Sequence, residues 1–233
     1  MTRWRVYWFS QILTGLLFKI LSLVSRFTLG AMFFSIEAKN RENIVNLSGP
    51  LIVTPNHKTY FDHFFVLANL PLNSKLLPAR GIAIDYLFKI PVLGWVLKNL
   101  LGAYPTYKGQ GLDVSLRDPL KILLNGYVVG IYPEGGIRYK PGVHPVKIGV
   151  AYLAAKSKAP ILPVAIIGAE YFSFKIFLFG RRKIKVVFGK PYKIQDLMEI
   201  KEHYDTKEEF NAMLARASEI IKNKIEELYN KNA

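Results

Sequence analysis

The stretch Leu51-Ile52-Val53-Thr54-Pro55-Asn56-His57-Lys58-Thr59-Tyr60-Phe61-Asp62 holds a short apolar run, a break, and two ionisable side chains just beyond it. The run from Leu51 to Thr54 ends at a proline and reads as a buried strand; residues 59–69 read as a helix after it. The same rhythm continues on either side. Strands are expected at 75–79, 127–132, 161–167 and 183–188. Helices are expected at 113–125 and 146–157, with an apolar helix or turn at 91–101. Thr206-Lys207-Glu208-Glu209 is a capping box that opens a long C-terminal helix. Its apolar face is Phe210, Met213, Leu214, Ala217, Ile220, Ile221, Ile225 and Leu228. Strands alternating with helices predict an α/β fold, with a mixed, partly parallel sheet flanked by helices. No Gly/Ser-rich linker divides residues 37–233, which read as one domain, with residues 1–36 as an appended helical segment.

That segment is almost wholly apolar from residue 4 to residue 36, and past Arg5 it is interrupted by Lys19 and Arg26. The uncharged runs beside Lys19 are shorter than the roughly 20 residues a bilayer span needs. On a helix, Gln11, Thr14, Gly15, Lys19, Ser22, Ser25 and Arg26 form one narrow polar stripe. Trp8, Phe9, Ile12, Leu13, Leu16, Leu17, Ile20 and Leu21 cover much of the rest. This is the pattern of an amphipathic helix lying in a membrane interface, its stripe turned to water or protein, with Trp4, Tyr7, Trp8, Arg3 and Arg5 at the headgroup level. A signal peptide ending near Gly30-Ala31, a tilted transmembrane helix and a buried core helix are the competing readings. The chain of 233 residues carries a net charge of +15, which calls for an anionic partner. Beside this N-terminus, an anionic membrane surface suits it better than nucleic acid, for which no motif is present. The aromatic and basic run 171–183 is either a second membrane contact or a hairpin facing the core. The chain has no cysteine, which excludes disulfides, thiolate nucleophiles and Cys-based metal sites and fits a reducing compartment, such as the cytoplasmic side of a cell membrane.

His57 follows the first strand, and Asp62 comes five positions later. On one continuous helix the two would stand about 140° apart. They can meet if His57 lies in the turn and Asp62 in the first helical turn. A carboxylate there would fix the imidazole tautomer and offset its charge. The alternative is a buried histidine, with an aspartate favoured by the helix dipole; the spacing leaves both open. Tyr132-Pro133-Glu134-Gly135-Gly136-Ile137-Arg138 follows another strand, where open α/β sheets place their sites. Its glycines allow close backbone approach to a ligand, and Arg138, Lys140 and Lys147 crowd the same segment; a plain turn is the other reading. His63 reads as structural. His144 and His203 have no metal-ligand spacing.

Taken together, Asn56-His57 with Asp62, then Tyr132-Pro133-Glu134-Gly135, resemble the 1-acyl-glycerol-3-phosphate acyltransferase (PlsC-type) family. Three further blocks fall in order: Ala79-Arg80 through Pro91 to Trp95, then Leu101 to Lys108, then Ile161-Leu162-Pro163-Val164-Ala165-Ile166. The resemblance covers roughly residues 50–170. It implies an O-acyltransferase in which His57 is the general base for a glycerol hydroxyl and Asp62 orients it, without cofactor or metal. Glu134, Gly135 and Gly136 would shape the acceptor site, with Arg138, Lys108, Arg80 and Lys147 as its basic contacts. The implied substrates are lysophosphatidic acid and an acyl thioester, carried by CoA or acyl carrier protein; the product is phosphatidic acid. The family's Glu-Gly-Thr-Arg is here Glu134-Gly135-Gly136-Ile137, with Arg138 one position late, and its Asp-Arg is Tyr107-Lys108. Both departures fall on phosphate contacts. They leave open another lysophospholipid or glycerol phosphate as acceptor, or a basic membrane-binding protein without catalysis.

Overall fold

The computed structural model describes residues 15–17, 19–25, 27, 34–71, 76–77, 79–97, 103–106, 109–171 and 182–233. Its centre is a 7-stranded sheet. In chain order the strands are β1 (Phe34–Lys39), β2 (Leu51–Pro55), β3 (Ala79–Ile84), β4 (Tyr104–Thr106), β5 (Val128–Gly130), β6 (Ile161–Ile167) and β7 (Arg182–Phe188). Across the sheet the order is β1-β7-β6-β2-β5-β3-β4. Every neighbouring pair is parallel except β6 with β7, so the mixed, mostly parallel α/β architecture is the one expected.

The apolar strands are explained by cover on both faces. Along β6, Ile161, Ala165 and Ile167 face one core cluster, while Leu162, Val164 and Ile166 face the other. The first cluster lies under α4 (Arg117–Leu124), α5 (Gly149–Ser157) and α6 (Lys207–Asn232). The second lies under α1 (Asp62–Asn69), through Phe65, Val66 and Leu67. Thr206 caps α6 by accepting a hydrogen bond from the Glu209 amide at 3.1 Å. The face below it buries Met213, Leu214, Ala217, Ile221 and Ile225, each large aliphatic side chain contributing about 1.5–3 kcal/mol.

Several expected elements shift. The strand expected at 75–79 is Ala79–Ile84 instead; Leu76 is a buried residue ahead of it. The helix expected at 113–125 is two helices, α3 (Leu112–Ser115) and α4. Pro119 has no N–H to give the Ser115 carbonyl, so the ladder breaks there and the proline sits in the first turn of α4, where it is tolerated. The helix expected at 59–69 starts at Asp62, that at 146–157 starts at Gly149, and the strand expected at 127–132 is limited to Val128–Gly130. In the stretch 91–101 a helix, α2, covers Pro91–Trp95, and residues 98–101 lie outside the described residues. Strands β1 and β4 were not expected. β1 pairs with β7 across the boundary drawn at residue 36.

Of the N-terminal segment, residues 15–17, 19–25 and 27 are described and helical. The polar stripe faces the protein at Ser22 and Ser25, both buried, and Ser22 Oγ donates to the Leu67 carbonyl at 2.8 Å. Leu21 packs on the second core cluster. Leu16, Ile20, Leu23, Val24 and Phe27 face outward, Phe27 at 77% exposure. Among the described residues no helix is long and apolar enough to cross a membrane. Residues 1–14, the candidate signal-peptide end at Gly30-Ala31 and the aromatic stretch 172–181 lie outside the described residues.

Candidate active site

The chain moves from β2 to β3 and back to β5, between them, before β6 forms on the other side of β2. This reversal makes the carboxyl ends of β2, β5 and β6 the crevice in which open α/β sheets hold ligands. Asn56 fixes the exit from β2. Its Nδ2 donates to the Ile166 carbonyl at 2.9 Å and its Oδ1 accepts from the Ile166 amide at 2.6 Å, all buried. Asn56→Ala strips both partners from the Ile166 backbone. It is expected to lower unfolding free energy by about 2–4 kcal/mol, read as a fall in the urea midpoint at unchanged slope.

The turn after Asn56 wraps around one carboxylate. Asp62 is the first residue of α1 and fully buried. Its Oδ2 accepts from the Lys58 amide at 2.5 Å and the Thr59 amide at 2.9 Å. Its Oδ1 accepts from Thr59 Oγ1 at 2.9 Å, and that oxygen accepts in turn from the Phe61 amide. An anion at a helix N-terminus, satisfied by backbone donors, is a stable arrangement. His57 Nδ1 completes the shell at 2.8 Å from Oδ2. A carboxylate at that distance accepts, so Nδ1 carries the proton and the neutral ring keeps its lone pair on Nε2. Tyr132 stacks on the imidazole, ring centroids 3.9 Å apart and planes at 18°, which fixes the ring from its face.

The segment after β5 closes over this turn. Arg138 N donates to the His57 carbonyl at 2.7 Å, and His57 N approaches Glu134 Oε1 at 3.4 Å. Glu134 is buried, and its Oε2 has no hydrogen-bond partner among the described residues. Burial holds its carboxyl above the ordinary glutamate range, eased by the Lys58 charge. Gly135 has φ +65, and a Cβ there would stand 2.6 Å from Lys147 Cδ. Lys147 N donates to the Pro133 carbonyl at 2.8 Å. The structure therefore gathers Glu134, Gly135, Gly136, Arg138 and Lys147 onto the loop that covers the His57–Asp62 turn.

Arg80 is placed differently. It is 3% exposed on β3, donates to Tyr104 Oη at 2.6 Å and lies over the Tyr127 ring. Those contacts belong to β4 and to the residue just ahead of β5. Lys108 lies outside the described residues. Among the described residues no group of His, Asp and Glu is arranged to hold a metal. Thr59, Tyr132 and Lys58 are parts of the site to which the sequence assigned no role. Thr59 stands at a capping distance from Asp62, a signal that was available; the ring stack of Tyr132 left none.

A family model described as Acyltransferase matches residues 35–167. The 1-acyl-sn-glycerol-3-phosphate acyltransferase of Bacillus subtilis (strain 168) is 30% identical over 198 residues, covering 84% of this chain and 89% of its own length. The chloroplastic 1-acyl-sn-glycerol-3-phosphate acyltransferase BAT2 of Brassica napus is 27% identical over 139 residues, 58% of this chain and 38% of that protein. In architecture, the crystal structure of the 1-acyl-sn-glycerophosphate (LPA) acyltransferase PlsC from Thermotoga maritima superposes with a TM-score of 0.65 at 22% identity. The match covers 91% of this chain and 79% of that one; it bears on the fold.

Proposed function

This chain belongs to the PlsC-type acyltransferase family, and from that premise we propose that it moves a fatty acyl group from an acyl thioester to the free hydroxyl of lysophosphatidic acid. The observation that carries this reading is the contact of 2.8 Å between His57 Nδ1 and Asp62 Oδ2 at the carboxyl end of β2. It leaves Nε2 as the proton acceptor. His57 takes the proton from the glycerol hydroxyl as its oxygen attacks the thioester carbonyl. The tetrahedral adduct then expels the thiolate, the C–S bond breaks, and the proton on His57 passes to sulfur. Asp62 offsets the imidazolium charge between these steps. No enzyme nucleophile is used, in keeping with a chain that has no cysteine. Glu134 and Gly135 shape the acceptor site, and the cationic side chains of Arg138 and Lys147 take the acceptor's phosphate.

The outward face of Leu16, Ile20, Leu23, Val24 and Phe27 supports attachment at a bilayer surface, where a lysophosphatidic acid acceptor would reside, with the net charge of +15 drawn to anionic headgroups. Leu23→Glu with Phe27→Glu is expected to weaken co-sedimentation with anionic liposomes by at least about tenfold per residue, since each change removes a large buried side chain from the lipid. Both positions are exposed in the protein, so its melting temperature should hold.

The deciding assay offers acyl-CoA and acyl carrier protein thioesters to the enzyme in liposomes, against lysophosphatidic acid, other lysophospholipids and glycerol 3-phosphate. Fastest turnover on lysophosphatidic acid is the expected result. A different preferred acceptor would replace the substrate assignment; no turnover on any acceptor, with liposome binding intact, would leave a non-catalytic membrane protein.

A further inference from the structure

Lys58 is fully buried, a long charged side chain among buried residues as large as Phe65 and Phe188. Lysine is almost never buried to that degree without partners that repay its lost hydration. Its Nζ donates to the Lys140 carbonyl at 2.8 Å and to the Gly142 carbonyl. Burial pulls its pKa below the ordinary lysine range, opposed by the charges of Glu134, Glu170 and Asp62. Both acceptors lie on the loop that carries the cationic side chains of the acceptor site. The rest of that arch is fastened inward as well. Arg138 N donates to the His57 carbonyl, and the Tyr139 carbonyl accepts from Tyr171 N at 2.8 Å. With its backbone tied to the protein, the arch leaves the side chains of Arg138, Tyr139 and Lys140 exposed.

We infer that Lys58 is a positioning residue for the acceptor's phosphate: its buried ammonium straps the 138–142 arch across the His57 turn and so holds Arg138 next to the catalytic histidine. This rests on the acyltransferase reading above. The strap belongs to the same turn as the base, since Lys58 N also binds Asp62. One short segment therefore sets both the proton acceptor and the anion grip. A neutral chain of similar length would fill the cavity, but it would leave the two carbonyls unpaired and the arch free to part from His57.

Three measurements on Lys58→Met test this. Hydrogen exchange should quicken in peptides covering residues 134–142 and stay unchanged in β6. Binding of glycerol 3-phosphate, as a phosphate-bearing probe, should weaken by about tenfold, the loss expected when a charged group's supporting hydrogen bonds go. In turnover, KM for lysophosphatidic acid should rise by a similar factor, while kcat and the KM for the acyl thioester stay within about twofold. Adding Arg138→Ala should then raise the acceptor KM no further, because Lys58 acts through Arg138. Unchanged exchange and probe binding would overturn the inference, as would a joint change in kcat and both KM values. Should Lys58→Met fail to fold, Lys58→Gln, which keeps a donor nitrogen without the charge, is expected to give a smaller rise in the acceptor KM with the same selectivity; an unchanged or unselective response overturns the inference too. A wild-type enzyme inactive on lysophosphatidic acid would count against the function assigned above, while the exchange and binding comparisons would still decide the role of Lys58.

Discussion

Replacing His57 by alanine is expected to lower kcat for acyl transfer by about 10²–10⁴-fold, the usual worth of a positioned general base. The chemistry leaves the hydroxyl of the acceptor with its proton, and a neutral alcohol is a poor nucleophile toward a thioester. The fold should survive. Asp62 keeps the Lys58 and Thr59 amides and the Thr59 hydroxyl when the imidazole is gone, so the turn retains most of the bonds that shape it. The lost contacts are one hydrogen bond, on the order of 1 kcal/mol, and the stack on Tyr132. The measurement is single-turnover acyl transfer in liposomes, with the melting temperature as control. A variant that keeps its turnover to within tenfold of wild type would show that the proton leaves by another route.

That the pair meets could be posed from the sequence but not decided there. Five residues apart is wrong for one helix face, and only a turn closing on a carboxylate brings His57 and Asp62 together. Buried apolar runs were the legible part of the fold. Leu51 to Thr54 and Ile161 to Ile167 read as strands because helices cover both faces of the sheet, and the Thr206 cap marked the start of α6. Strand β3 was misread because Arg80-Gly81 interrupts its apolar character, while Leu76 beside it is buried without being in a strand. β1 escaped because it is an edge strand whose partner, β7, lies far along the chain. The site divided in the same manner. Glu134, Gly135 and Arg138 could be grouped because they are adjacent in sequence. Arg80 enters only through the family resemblance, and its contacts could not be read locally: the sheet buries it beside Tyr104 and Tyr127. Lys58 draws no role from its local sequence, where nothing announces that the carbonyls of residues 140 and 142 will arrive to hold it.

Asp62→Asn should separate the charge of the carboxylate from its geometry. Asp62 Oδ2 faces three donors, the Lys58 amide, the Thr59 amide and His57 Nδ1, while Oδ1 faces the Thr59 hydroxyl. Two of the three are backbone N–H groups that cannot turn away, so asparagine must place its oxygen at the Oδ2 position and its amide nitrogen toward Thr59 Oγ1, which can accept. His57 then keeps the proton on Nδ1 and the lone pair on Nε2, and what is lost is the negative charge. A unit pair 4 Å apart is worth ~4 kcal/mol at an effective dielectric of ~20, so kcat should fall by roughly 10³-fold with little change in stability. Asp62→Ala is the contrasting case, for it abandons four donors in a buried place, each costing about 1–3 kcal/mol, and is expected to unfold. If the carboxylate acts through the imidazole, His57→Ala combined with Asp62→Asn should be no slower than His57→Ala alone, because residues acting as a unit do not add. A further multiplicative fall in the double variant would place the action of Asp62 somewhere other than on His57.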